Sequence, residues 1–172
     1  MSAYCGRMEV LYLDAPGDIR EGLLQDVVRD PSLVSEEDLT SLGDNLGVTL
    51  PTAFLAYLQT GLAGGVERDE CYLPGVPGED PLGPISEYLF DGSLRPLGYL
   101  QFACGPCADP VCFDLGGSAH GEYRVVCFNH DLIPHHAWLD RETLRQYEEE
   151  LAPSFATFLE WLCGDEGGSK LS

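Results

Sequence analysis

The feature that most constrains this chain is a change in the spacing of its apolar residues along its length. From Asp18 the apolar positions Ile19, Leu23, Leu24, Val27 and Val28 recur with helical spacing until Pro31. Ser35, followed by Glu36, Glu37 and Asp38, reads as the cap and acidic first turn of a second helix. That helix carries Leu39 and Leu42 inward and stops before Gly47. At Leu50-Pro51 a third helix begins with proline in its first position, aligns Phe54, Leu55 and Leu58, and ends near Thr60-Gly61. The period then shortens. Strands are predicted over 97–103, 110–115 and 123–129, broken by Gly105-Pro106 and Gly116-Gly117 turns. Phe113, Leu115, Val125 and Cys127 alternate with Cys112, Asp114, Arg124 and Val126, and the strands are apolar enough for both faces to be covered. A helix is expected over 140–150, and Ser154 caps a last one bearing Phe155, Phe158, Leu159, Trp161 and Leu162. A short strand is expected at 8–13. The stretch 67–84, rich in Gly, Pro and acids after Gly64-Gly65, reads as a long surface loop. Helices followed by strands and a closing helix make an α+β chain.

At 172 residues with 44% hydrophobic content, one domain over 1–172 is expected, with its core at 35–163 and a frayed tail at 164–172. Its charge is lopsided. Nine basic against 29 acidic side chains give a formal charge of -20. Such a field repels phosphate backbones and anionic lipid, so direct nucleic-acid or membrane-surface binding is disfavoured, while a basic partner would be steered inward. Seven cysteines with no signal-like leader and no run of membrane-spanning length point to reduced thiols and a cytoplasmic location.

Few constellations suggest chemistry. Cys104-Gly105-Pro106-Cys107 matches the thioredoxin tetrad, but that chemistry needs a helix after the first thiol to lower its pKa. Here Asp109-Pro110 leads into a strand-like run, so a turn with two incidental thiols is the simpler reading. Zinc could use Cys104 and Cys107 with Cys112, Cys127 or His130, although no second closely spaced ligand pair completes a tetrahedron. His130-Asp131 and His135-His136 lack a nucleophile beside them, and Gly116-Gly117-Ser118 lacks the lysine and helix of a phosphate loop. Trp138 and Trp161 read as core anchors. No cofactor is called for and catalysis is not expected.

Three segments in order resemble the SUKH superfamily, the Smi/Knr family. The first runs through Leu46-Gly47, Leu50-Pro51, Phe54-Leu55 and Tyr57-Leu58 to Gly64-Gly65. The second is Val111-Cys112-Phe113-Asp114-Leu115 with Val125-Val126-Cys127-Phe128-Asn129-His130-Asp131, a strand ending in aspartate and a strand running into a histidine-acid pair. The third, Ser154-Phe155 through Phe158-Leu159 to Trp161-Leu162, is similar to the family's closing helix. Thr60-Gly61-Leu62-Ala63 departs from the asparagine usual before the two glycines, and Gly105-Pro106 from a more acidic turn.

The resemblance implies a twisted, mainly antiparallel sheet with N-terminal helices and a C-terminal helix packed beside it. It also implies action through protein contacts. Bacterial members look like immunity proteins of polymorphic toxin systems, so the expected partner is a cognate toxin domain, and a basic one would suit the charge. The expected contact residues are Glu67, Asp69, Glu70, Tyr72, Glu79, Asp80, Glu87, Tyr88 and Asp109. The alternatives are a regulatory interaction module without a toxin, as in fungal relatives, and a thiol-redox or zinc protein using Cys104 and Cys107.

Overall fold

A computed structural model describes residues 34–60, 65–77, 80–117, 122–133 and 139–163. The strand expected at 8–13, the helix from Asp18, Glu79, His135, His136, Trp138 and the tail 164–172 lie outside the described residues.

Helix α1, Glu36–Leu46, starts where its cap chemistry says it should. The Ser35 hydroxyl accepts from the Asp38 N–H at 3.1 Å, and the Asp38 carboxylate accepts from the Ser35 N–H at 3.0 Å, so two N–H groups left over at the helix start are satisfied reciprocally. Gly47, with φ +62°, ends it in the left-handed region. Helix α2, Thr52–Leu58, follows, with Pro51 one position earlier than expected, before the helix instead of in its first turn.

The next stretch corrects the sequence reading. Within 67–84 lie the second half of β1, Val66–Arg68, all of β2, Cys71–Leu73, and the start of α3, Gly83–Leu89, and Cys71, Leu73, Pro74, Gly75 and Val76 are buried. Strands of three residues are too short for a period to show, and their two-residue turn is made by Asp69 and Glu70, not by glycine. Both hold left-handed φ, 48° and 65°, as a tight hairpin demands.

Strands β3 (Tyr99–Cys104), β4 (Pro110–Asp114) and β5 (Val125–Phe128) follow close to the expected places. The region 140–150 is the second correction. It holds a single helical turn, α4 (Arg141–Leu144), a 3-10 turn (Arg145–Tyr147), and then β6, Glu148–Ala152. Glu-Glu-Glu-Leu-Ala has helical propensity, yet its backbone pairs antiparallel with β5, and that pairing overrides the local preference. Helix α5, Phe155–Cys163, is the last described element, with the Thr157 N–H donating to the Ser154 hydroxyl at 3.2 Å.

All neighbouring strands are antiparallel and run in the order β1-β2-β3-β4-β5-β6, so this is an α+β meander of six described strands. One face meets α1, α2, α3 and α5. There Phe54 lies edge-on to Phe102, Phe113 and Phe155 at 5.7, 5.2 and 5.1 Å, and Phe102 stacks on Phe113 at 4.1 Å. The other face buries Tyr99, Cys112, Val126, Phe128 and Leu144. Both faces are covered, as the apolar alternation suggested.

Candidate functional site

Alternating strand directions gather three connections at one end of the sheet. These are the Asp69-Glu70 turn, the turn 105–109 between β3 and β4, and the exit of β5 through Asn129–Leu132. Most expected contact residues come together here. Tyr72 on β2 pairs with Cys104 on β3, and Tyr88 on α3 donates its hydroxyl to the Cys104 sulfur at 3.7 Å. Burial first, then the bond to Cys104, pushes the Tyr88 hydroxyl up to about 12. Both tyrosines are half-buried, with Glu67 on β1, Asp69 and Glu70 in the turn after it, and Glu87 on α3 exposed. Asp80 is exposed just before α3. Leu132, 62% exposed, adds an apolar side chain beyond β5.

Asp109 departs from the expectation of a free loop acid. It is buried, and one carboxylate oxygen accepts from the His130 N–H at 2.9 Å and lies 2.6 Å from His130 Nδ1. The pair ties the β3–β4 turn to the end of β5, which is structural work. The same turn holds Cys107 and Ala108 in the left-handed region, φ 56° and 65°, at a cost of about 1 kcal/mol or more each. It is closed by the Gly105 N–H donating to the Asp109 carbonyl at 2.7 Å.

This geometry decides the context of the cysteine tetrad. Cys104 ends a strand, Cys107 is exposed in a hairpin, and the chain passes through one distorted 3-10 turn, Pro106–Ala108, into β4, with no α-helix following the first thiol. Nor do Cys112 and Cys127, the further thiols weighed for a zinc site, both reach this turn. Cys112 is packed on one face of the sheet and Cys127 on the other, because they occupy opposite positions of the pleat. Among the described residues no group of three or more His, Cys, Asp or Glu is placed to hold a metal ion. Burial pushes the Cys71 and Cys127 thiols up to about 12 and Cys112 well above the ordinary range, so these three are unreactive while buried.

The most elaborate polar cluster lies elsewhere and escaped the sequence reading. Asp114, at the end of β4, accepts from Arg124 and Arg141 and from the Gly116 N–H at 2.9 Å. Burial disfavours its charge, but these bonds outweigh that and hold the carboxyl below the usual carboxylate range. Arg124 also donates to Glu148 and Glu150, each at 2.9 Å, and the Tyr99 hydroxyl donates to Glu148 at 2.8 Å. Arg141 lies over the Tyr99 ring, 4.7 Å from its centre. A signal was available, since basic residues are scarce in this chain and three of them fall between 124 and 145.

The described arginines share a fate that shapes the surface. Arg68 donates to the Trp161 carbonyl and Arg95 to the Leu46 carbonyl; Arg124 and Arg141 bind Asp114; Arg145 lies 3.9 Å from Glu148. Arg68, Arg95, Arg124 and Arg141 hold elements of the fold together, and of the described arginines Arg68 alone also reaches a turn-end acid, lying 3.8 Å from Asp69.

A curved antiparallel meander with helices against one face and the acidic Asp69-Glu70 turn at one end defines an α+β protein. A family model described as SMI1 / KNR4 family (SUKH-1) matches residues 33–161, and the chain belongs to that family. No curated protein and no solved structure matches it. Among the described residues no helix is long and apolar enough to cross a membrane.

Proposed function

We propose that this chain is an immunity protein of a bacterial polymorphic toxin system, acting in the cytoplasm by stoichiometric binding of a cognate toxin domain and not by turnover. Family membership supports action through a protein partner. The observation that carries the finer reading is the end of the sheet where exposed Glu67, Asp69, Glu70 and Glu87 accompany Tyr72 and Tyr88, while Arg95, Arg124 and Arg141 are bound within the fold and Arg68 is shared between the Trp161 carbonyl and Asp69. A negative potential there speeds the encounter with a basic domain, and the two tyrosines with Leu132 supply the apolar contact that slows its escape.

The test is co-expression with the toxin domain encoded beside it, followed by co-purification and an affinity measurement across salt concentrations. Reversal of Asp69, Glu70, Glu79 and Asp80 to lysine is expected to weaken binding at least about tenfold at low salt and to flatten its salt dependence. Unchanged affinity rejects this end of the sheet as the contact. Failure to bind any adjacent toxin domain rejects the immunity role itself.

A further inference from the structure

We propose that the segment 139–147 is a latched cover over the second face of the sheet, opening as a unit while the helix-covered face stays packed. Its regular structure is one α-helical turn and one 3-10 turn, which have little stability of their own. Of its residues, Leu144 alone is buried in the cluster with Tyr99, Cys112, Val126 and Phe128. What fastens it is Arg141, which donates to the carbonyls of Leu97 at 2.9 Å and Gly98 at 3.0 Å, binds Asp114, and covers the Tyr99 ring.

The site is shaped for that guanidinium. A Cβ at Gly98 or at Gly116 would collide with it, and Gly98 holds φ +84°. Among the described residues the cover is fastened by one buried apolar side chain and one ionic latch, and such a cover opens at lower free energy than a face sealed by interlocked aromatic rings, which is the condition for sub-global opening. Opening uncovers the part of the Tyr99, Val126 and Phe128 cluster that Leu144 seals, with Leu94, Leu97 and Ile133 still against its rim, and it gives a reagent access to the Cys112 thiol.

Cys112 is therefore a native reporter of this face, and Cys71, buried among the first-face residues, reports the other. The experiment is alkylation of the full chain by iodoacetamide under native conditions, with each thiol followed by peptide mass spectrometry. Arg141→Met is expected to speed Cys112 labelling about tenfold or more, with Cys71 labelling unchanged. Gly116→Ala, which crowds the guanidinium without removing any charge, is expected to act in the same direction and decides the matter if Arg141→Met does not fold. Equal acceleration of Cys71 and Cys112 shows that the molecule unfolds only as a whole and overturns the proposal. No acceleration of Cys112 in the folded variants overturns it as well.

Discussion

Val111 and Cys112 are neighbours on one strand, yet they meet two different kinds of interior. Val111 faces a side where Phe54, Phe102, Phe113, Phe155 and Phe158 interlock under four helices. Cys112 faces a side where five described buried residues share the cover with the Asp114, Arg124, Arg141 and Glu148 cluster. The first face is held by apolar area and close packing, which scarcely depend on pH or salt. The second depends on directed charge pairs, which do. One sheet can therefore carry a face that gives the fold most of its stability and a face whose closure is conditional.

Four substitutions would break or sharpen this contrast. The largest effect is expected from Phe54→Ala, which removes the ring at the centre of the aromatic cluster and leaves a cavity costing about 3–5 kcal/mol in urea unfolding. A loss below about 1 kcal/mol would mean that the first face is not the main source of stability.

Next comes Asp114→Asn, expected to cost about 2 kcal/mol at neutral pH because two arginines lose their shared carboxylate. The pH dependence gives the sharper test. Asp114 has its pKa lowered on folding, so its stabilisation is present above the unfolded carboxyl value of about 4 and is lost as pH falls through the lower folded value. The difference between wild type and Asp114→Asn should shrink on acidification, whereas the Phe54→Ala difference should not. A pH-independent Asp114→Asn difference would contradict the ionic account.

The smallest effects compare two hydroxyls. On the first face the Tyr57 hydroxyl donates to the buried Pro74 carbonyl at 2.7 Å; on the second the Tyr99 hydroxyl donates to Glu148 at 2.8 Å. Each change to Phe is expected to cost about 1 kcal/mol at neutral pH. Of the two, Tyr99→Phe gives up a bond to a charged acceptor and should cost the more, which parallel urea unfolding curves at neutral pH would show.

Legibility followed the length of the elements. The cap at Ser35, the Phe54 helix, the three central strands and the Ser154-capped helix were readable because each has enough residues to display a period or a cap. The β1–β2 hairpin was not, since three-residue strands joined by Asp69-Glu70 present no alternation and no glycine. Strand β6 was misread because three glutamates in a row favour a helix until a partner strand supplies hydrogen bonds. At the candidate site, the acids and tyrosines could be named from sequence, but Asp109 was indistinguishable from its neighbours until His130 was seen beside it.

What the linear chain determined by itself was local or additive: where helices begin and end, which residues alternate, the family resemblance, and a charge of -20 that no fold can change. What tertiary structure alone decided was pairing. Asp114 meets Arg141 across 27 positions and Tyr99 meets Glu148 across 49, and sequence carries no distance information at such separations. The direction of each strand decides which turns share an end, and therefore which of the many acids stand together to face a partner.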